Sequence, residues 1–378
     1  MTAGSMRVWT WLHKWSSLVC TVFMLLLCVT GLPLIFSDEI EHWQHPEIRP
    51  DAVAEGAPHA PLDQVLANAK ARHPTLVEQY LSRDLAEPDL WLLTLGPTAD
   101  AESDLRNVAI DARTARVVGE PQFDTGFMHW MLRLHVDLFA GLPGTLFLGL
   151  MGLLLALSIA SGVVVYGPFM RRLPFGSVRY DRSTRARWLD LHNLLGITTM
   201  AWALLVAATG VINTLGQPAI QSWQAGQLQE MIAAHRGRGS LGPQRASLQA
   251  AVDLAQARAP GLRTAFIAFP GSALTSTHDY GVYLAGGTHL QARLFRPVLV
   301  DAANGAFVDT RELDWTIRGI LISQPLHFGD YAGLPLKVLW VLLDLVTILV
   351  LGSGLYLWLA RGSSAKAPAP TALQRQRQ

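Results

Sequence analysis

Four long apolar stretches alternate with polar segments along the chain. They cover roughly residues 16–36, 143–167, 194–215 and 335–360. A helix needs about 20 apolar residues to cross the ~30 Å hydrocarbon core of a bilayer, so each stretch predicts a transmembrane helix. Small residues of a cleavage site are missing before Pro33, which favours a retained first helix over a removed signal peptide.

Four histidines recur at matching positions around these stretches. They are His13, His135, His192 and His327. Eighteen residues separate His13 from Gly31 and His192 from Gly210, and twenty-seven separate His135 from Gly162 and His327 from Gly354. The spacing predicts an internal duplication in which a histidine stands near the entrance of every membrane helix.

The polar segments repeat a second pattern. Helices are predicted at 62–72 and 248–258 from apolar residues spaced three and four apart, strands at 90–95 and 281–285, and hairpins at 111–118 and 301–308. Each segment therefore predicts a small α+β domain. The second segment also carries a Gly- and Ser/Thr-rich insertion at 272–288, interpreted as a mobile loop or a substrate contact.

These elements predict a fold class, an α-helical four-helix transmembrane bundle with two external α+β domains. The predicted boundaries are transmembrane helix 1 at 8–37, the first external domain at 38–126, an amphipathic helix and transmembrane helix 2 at 127–168, a basic loop at 169–187, transmembrane helix 3 at 188–215, the second external domain at 216–320, transmembrane helix 4 with its preceding segment at 321–360, and a disordered tail at 361–378. Because Pro143 follows Gly141-Leu142, a helix break is expected there, which leaves His135 on a short surface helix.

Basic residues predict the orientation. Only 16% of the residues are charged, against an average of about 25%. The segment between the second and third stretches contains Arg171, Arg172, Arg179, Arg182, Arg185 and Arg187. By the positive-inside rule this segment and both termini are cytoplasmic, and the regions 37–134 and 216–326 lie outside. The net charge of +1 gives no indication of nucleic-acid binding.

The histidine-bearing ends of the helices resemble those of the PepSY-associated transmembrane family. The matching residues are Leu12-His13-Lys14-Trp15, Leu134-His135, Leu191-His192-Asn193 and Ser353-Gly354-Leu355-Tyr356-Leu357-Trp358. The resemblance implies a bacterial inner-membrane protein with two periplasmic PepSY-like domains. Within that family the length and the doubled domain are most similar to ferric-siderophore reductases, which implies an oxidoreductase that reduces Fe(III) to Fe(II) in a periplasmic ferric siderophore.

The topology predicts two haem sites. His13 and His192 share the cytoplasmic depth, and His135 and His327 share the periplasmic depth, so the sequence predicts two non-covalent haem b groups, each with two histidine axial ligands to the haem iron. No Cys-x-x-Cys-His motif for covalent haem is present. Small neighbours proposed to admit a porphyrin are Ser16, Ser17 and Gly196, and proposed propionate partners are Arg7, Lys14, Arg187, Arg133, Arg318 and Lys337.

Several residues leave alternatives open. His129 has no repeat partner and is interpreted as a neighbour of the outer site rather than an axial ligand. His42 and His45 form a His-x-x-His beside Trp43, which is interpreted as an interface anchor or a metal site. Asp344 lies in the last apolar stretch and is interpreted as a helix-to-helix hydrogen bond or as part of a transport path.

Nucleotide-binding motifs are missing from the sequence. Neither a Gly-x-Gly-x-x-Gly after a strand nor a phosphate-binding loop is present, so electrons are expected from a membrane quinol or a cytoplasmic reductase. Two other functions stay open, namely a non-enzymatic membrane regulator or protease-inhibitor-like sensor, and a siderophore or metal transporter.

Overall fold

A computed structural model describes residues 2–52, 56–83, 87–170, 174–235, 241–242, 244–288 and 291–363. Arg171 and Arg172 of the predicted basic loop, His289 and most of the predicted tail lie outside the described residues. The chain divides into a helical unit, formed by Met1–Ile35, Met131–Thr214 and Gly333–Gln378, and a sheet unit, formed by Phe36–Trp130 and Leu215–Ala332.

The secondary structure follows the predicted alternation. The helices are α1 (Ala3–Leu34), α2 (Ser37–Gln44), α3 (Leu62–Lys70), α4 (Gly126–Val136), α5 (Leu142–Met170), α6 (Thr184–Thr214), α7 (Gly216–Trp223), α8 (Gln229–Met231), α9 (Leu248–Arg258), α10 (Trp315–Phe328) and α11 (Leu334–Ser363). The strands are β1 (Val77–Ser82), β2 (Leu90–Gly96), β3 (Arg106–Asp111), β4 (Val117–Gly119), β5 (Arg263–Ala268), β6 (Asp279–Ala285), β7 (Arg296–Asp301) and β8 (Phe307–Thr310).

Four long helices build the helical unit. α1, α5, α6 and α11 are each long and apolar enough to cross a membrane, which confirms the prediction of four such helices. α1 packs against α5 and α11, and α6 packs against the same two helices. The four therefore form a closed ring in which α1 and α6 stand on a diagonal. Side chains on diagonal helices point into one shared core.

The predicted helix break separates α4 from α5. Gly141 adopts a φ of +62°, which favours glycine, and Pro143 follows in the first turn of α5, where its missing N–H costs no hydrogen bond. The chain passes so close to itself here that a Cβ on Gly144 would lie 1.9 Å from the Asp137 carbonyl oxygen. His135 consequently lies on a short helix of its own, as the sequence predicts.

The sheet unit contains one eight-stranded antiparallel sheet, in the order β4-β3-β2-β1-β5-β6-β7-β8. The predictions of a helix, strands and a hairpin in each half hold, but β1 and β5 do not follow from the sequence patterns used above. These two strands pair through Leu81 and Ile267, both fully buried, and so join the segments that the sequence divides into two domains. Pairing also removes an edge of unsatisfied backbone groups from each half.

α3 and α9 cover one face of the sheet and cap each other. The Asp63 carboxylate accepts hydrogen bonds from the Leu248 N–H at 2.7 Å and the Ser247 hydroxyl at 2.6 Å, at the start of α9. The Gln249 side chain in turn accepts one from the Leu62 N–H at 3.1 Å, at the start of α3. The first N–H groups of a helix have no partner within it, so each half completes the helix of the other.

α7, the segment after it and α10 pack on the other face of the sheet, the face opposite to α3 and α9, over strands β5–β8. Trp223 and Leu228, in and after α7, are buried against Tyr283 of β6 and Ile317 of α10. The insertion at 272–288 belongs to this packed region, because the Tyr283 hydroxyl donates to the Leu274 carbonyl at 2.7 Å and Thr275, Ser276 and His278 are buried. Its described residues therefore form ordered structure and include β6, which corrects the interpretation as a mobile loop.

Replacing Asp63 tests the reciprocal caps. Asp63→Ala removes the acceptor at the start of α9 and is expected to lower the free energy of unfolding of the sheet unit by about 1 to 2 kcal/mol, as loss of a helix cap does. Hydrogen exchange of the first α9 amides measures the change, and Gln64→Ala, the next residue of α3, is the control. Equal exchange in both variants would contradict the capping role.

Candidate functional site

His13 lies near the start of α1 and faces the last part of α5. Its Nδ1 lies 2.9 Å from the Ser158 carbonyl oxygen, and a Cβ on Gly162 would come within 3.0 Å of its Cε1. A carbonyl oxygen can only accept, so Nδ1 donates to it, and in the neutral imidazole this leaves the lone pair on Nε2. Gly162 is required here because the imidazole lies directly against the helix backbone.

His192 repeats this arrangement on α6 and α11. Its Nδ1 lies 3.1 Å from the Val350 carbonyl oxygen and 3.0 Å from the Ser353 hydroxyl. The Ser353 hydroxyl donates its own hydrogen to the Val350 carbonyl oxygen at 2.9 Å. Its oxygen therefore acts as a second acceptor for the imidazole N–H, beside the Val350 carbonyl. A Cβ on Gly354 would lie 3.3 Å from the His192 Cε1. Both imidazoles therefore have the same tautomer and the same glycine contact.

The two imidazoles meet across the core of the helix ring. The ring centroids of His13 and His192 are 6.5 Å apart with planes at 64°, although the helices that carry them stand on a diagonal. This is the same-depth pair that the repeat predicts. Among the described residues no group of three or more His, Cys, Asp or Glu side chains could hold a metal ion. An ion between these two histidines would need further ligands, and no His, Cys, Asp or Glu side chain in the described ranges joins the pair to form such a group.

His135 shows the same pattern at the other end of α1. Its Nδ1 lies 3.0 Å from the Thr30 hydroxyl, which donates to the Leu26 carbonyl at 2.8 Å, and Gly31 would place a Cβ 3.2 Å from its Cε1. The repeat spacing relates Gly31 to His13 and Gly162 to His135. In the structure the two contacts are exchanged, so Gly31 contacts His135 and Gly162 contacts His13. The His13 contact follows because α1 and α5 are antiparallel, so Gly162 in the later part of α5 lies beside His13 in the earlier part of α1, while His135 on α4 lies beside Gly31 near the end of α1.

His327 lies in the last turn of α10, with its ring 5.9 Å from that of Phe328. Its pairing with His135 stays a prediction from the repeat.

The small residues expected beside the imidazoles, Ser16, Ser17 and Gly196, contact the protein itself, and Ser16 also donates to the His13 carbonyl at 3.4 Å, so their role toward a porphyrin stays a prediction. The Ser16 and Ser17 hydroxyls donate to Leu12 and Lys14 of their own helix, at 2.8 and 3.1 Å. Gly196 faces Val350 at an ordinary contact distance of 3.9 Å for an added Cβ. The small residues in contact with the imidazoles are instead the glycines Gly162, Gly354 and Gly31 of neighbouring helices.

The proposed propionate partners differ in their surroundings. Arg133 pairs with Asp137 at 2.8 Å and Arg318 with Glu312 at 3.2 Å. The others are Arg7, which contacts the Ala3 carbonyl, Lys14, which lies over the Trp15 ring, Arg187, which is exposed, and Lys337, which is buried. Their roles toward a cofactor stay predictions.

Arg185 is a basic residue that the sequence argument did not single out for this site. It lies seven residues before His192, which places both on one face of α6. Its Nε is buried and has no hydrogen-bond partner in the part of the chain that the structure describes. The seven-residue spacing could have identified it from the sequence.

The remaining candidate histidines have protein partners. His42 Nε2 lies 2.9 Å from Glu87 and His45 Nδ1 lies 3.2 Å from Glu47, so the His-x-x-His pair is engaged by carboxylates. His129 Nδ1 lies 3.2 Å from the Phe123 carbonyl. No group of three or more His, Cys, Asp or Glu side chains that could hold a metal ion occurs around His42 and His45 among the described residues, and both interpretations of the pair stay predictions.

Asp344 lies buried on α11. Its carboxyl group lies near the Cys28 thiol of α1, and only 7% of the residue is exposed. The helix-to-helix interpretation and the transport interpretation of Asp344 both stay predictions. Its Oδ2 has no hydrogen-bond partner among the described residues.

The apolar helix ring and the α+β sheet unit define a membrane protein with a soluble part. A family model described as the PepSY-associated TM region matches residues 10–361, so the chain belongs to that family. It is also 31% identical over 284 residues to an uncharacterized protein of Pseudomonas aeruginosa, PA4219, a match covering 65% of this chain and 66% of the relative.

The His42–Glu87 pair predicts a pH response. The Glu87 carboxylate raises the pKa of His42 above its ordinary value of 6.5. The stabilising ion pair between protonated His42 and the Glu87 carboxylate is fully formed below pH 6.5. Its contribution to stability is lost as the pH rises through the raised pKa of His42. Glu87→Gln is expected to lower the pKa of His42 toward 6.5, measured by NMR titration of labelled histidines. Glu47→Gln is the control, and an unchanged His42 titration in Glu87→Gln would refute the assignment.

Proposed function

We propose that this protein is a di-haem b electron carrier of the bacterial inner membrane. It moves electrons across the bilayer and reduces a periplasmic acceptor, and the resemblance described above favours the iron of a ferric siderophore. The observation that carries the proposal is the facing pair of His13 and His192 in the core of the helix ring.

The separation of the pair supports iron between the two rings. A metal bound by two imidazole nitrogens at about 2.0 Å each holds the ring centres roughly 6 Å apart, since each nitrogen lies about 1.1 Å from its ring centre. The centroids of His13 and His192 are 6.5 Å apart. A haem brings four further ligands of its own, which agrees with a site where the protein supplies two.

The hydrogen bonds at Nδ1 support the same role. Histidines that bind metals usually donate their second N–H to a carbonyl or carboxylate, which fixes the ring and the tautomer. The Ser158 and Val350 carbonyls accept in this way from His13 and His192. When bound, a haem with two histidine ligands supplies a one-electron redox couple with no open position on the iron.

A second site follows from the other pair in the repeat. His135 has the same Nδ1 hydrogen bond and glycine contact as the first pair, and His327 is its repeat partner. Eighteen residues of helix separate His13 from Gly31, which is a rise of about 27 Å. Two sites at these levels would span most of the ~30 Å hydrocarbon core.

The direction and the acceptor come from charge and resemblance. By the positive-inside rule the basic residues support a cytoplasmic position for the His13 level, where a quinol or a cytoplasmic reductase would deliver electrons. The His135 level then faces the periplasm. Reduction frees siderophore iron because Fe(II), with its smaller charge, is held less strongly by oxygen ligands than Fe(III).

Haem content tests the proposal directly. The purified full-length protein is expected to contain two haems per chain and to show a b-type absorbance spectrum after dithionite reduction. His13→Ala and His192→Ala are each expected to reduce the content to one haem, because each removes an axial ligand of the same site. His73→Ala is the control, since His73 pairs with Glu120 in the sheet unit.

Two results would reject the proposal. Protein that binds no haem would favour the non-enzymatic regulator, and full haem content in His13→Ala would remove the assigned ligand. Stopped-flow reoxidation by several ferric chelates then tests the acceptor class, and an absence of reoxidation by any of them would exclude iron reduction.

The glycine contact gives a finer prediction. Gly162→Ala would press a Cβ against the His13 imidazole and is expected to weaken haem binding at that site by about 10- to 100-fold, the range seen when the support of a metal ligand is lost. Gly167→Ala on the same helix is the matched control, because no atom lies within 4 Å of its added Cβ. Haem titration of the apoprotein measures both, and equal affinities would contradict the role of Gly162.

A further inference from the structure

One end of the helical unit, where α1 and α6 begin, has an excess of positive charge. We call it the basic end. The cations that the structure describes there are Arg7, Lys14, Arg179, Arg182, Arg185 and Arg187, and the acidic residues of the same segments are Asp181 and Asp190. The two other acidic residues of the unit lie before α5 and in the middle of α11.

The two acidic residues of the basic end neutralise few of these cations. Asp190 is buried and accepts three hydrogen bonds from Arg179, two from its guanidinium at 2.7 and 2.9 Å and one from its backbone N–H at 3.0 Å. Asp181 is exposed and lies 3.9 Å from Arg182, a separation at which an exposed pair contributes little. The basic end therefore keeps a net positive charge that suits an anionic partner.

Helix length gives the basic end a depth in the bilayer. α1 and α6 run in the same direction, because Gly162 of α5 lies beside His13 and Gly149 of α5 lies beside Thr214 at the end of α6. Arg7 and Arg185 precede the facing histidines by six and seven residues, so both lie about 10 Å beyond that pair. α1 has 32 residues, about 48 Å, and exceeds the ~30 Å hydrocarbon core by enough to carry such residues to the lipid headgroups.

Arg185 has a donor that needs an acceptor. It lies two turns before His192 on the same face of α6, so its side chain leaves the helix on the side of the bundle core. Its Nε is buried and has no hydrogen-bond partner within the described ranges. A buried donor without an acceptor is costly, and phosphate oxygens are acceptors that a guanidinium binds strongly.

Aromatic side chains favour a lipid over a soluble anion. Trp11 and Trp15, on either side of His13, are 61% and 43% exposed on a helix of membrane-spanning length. Trp188, between Arg185 and His192, lies 6.0 Å from the Tyr356 ring of α11. Exposed indole rings of this kind are typical of the headgroup level, where basic residues between membrane helices bind anionic lipids.

We propose that the basic end binds the phosphate group of an anionic phospholipid, with Arg185 as the buried contact and Arg182 as an exposed one. The site distinguishes lipids by charge. Phosphatidylglycerol has a phosphate and no cation, whereas the trimethylammonium group of phosphatidylcholine neutralises its phosphate. This site is independent of the proposed haem function, because none of the observations that support it involves a cofactor.

Native mass spectrometry of the purified full-length protein in a neutral detergent tests the site. The protein is titrated with phosphatidylglycerol and with phosphatidylcholine of the same acyl chains, and phosphatidylglycerol is expected to bind more tightly. Arg185→Gln is expected to weaken phosphatidylglycerol binding about fivefold, the effect of one basic residue at a membrane surface, and to leave phosphatidylcholine binding unchanged. Arg72→Gln is the control, since Arg72 pairs with Glu120 in the sheet unit.

Arg182→Gln provides a second variant at an exposed position that does not contribute to packing. It is expected to weaken phosphatidylglycerol binding by a smaller factor, because water and salt screen an exposed charge. Equal affinities of the wild type for the two lipids, or unchanged phosphatidylglycerol binding in either variant, would overturn the proposal. Inorganic phosphate at the lipid concentration is expected to leave the lipid bound, and displacement by it would reject the lipid in favour of a free anion.

Discussion

The imidazole N–H in an apolar helix bundle is the constraint on which the rest of the candidate site depends. Such a group is costly to bury unless it finds an acceptor, and lipid offers none. His13, His192 and His135 each find one on a neighbouring helix. The acceptor can be reached only where the backbones approach closely, so a glycine follows a serine or threonine at each contact. The helix pairing, the tautomer and the direction of each Nε2 all follow from this one requirement.

The sequence predicted much of this arrangement because its repeat is strict. The four membrane helices, the break before α5, the hairpins and the closeness of His13 and His192 all follow from spacing and hydropathy. The identity of each glycine partner did not, because spacing along one helix cannot say which residue of an antiparallel neighbour lies beside it.

The single eight-stranded sheet follows less directly from the sequence than the helices do. Two similar segments suggested two domains, but β1 and β5 pair at equivalent positions of the repeat, and Asp63 and Gln249 cap the helix of the opposite half. No local pattern predicts such contacts, because a strand edge or a helix start looks the same whether its partner is close in sequence or in the other copy. The two segments therefore share one sheet, with a packed layer on β5–β8 that the first segment lacks among its described residues.

The central strand pair has a consequence for synthesis. β5 is made only after α5 and α6, so β1 waits for its neighbour while about 180 residues are added, roughly 10 to 40 s at typical rates of translation. During that time the first four strands present an open edge on which other chains could pair. A substitution that slows insertion of α5 or α6 would lengthen this interval. Its effect would appear as aggregation of nascent chains, even when the finished protein is as stable as the original.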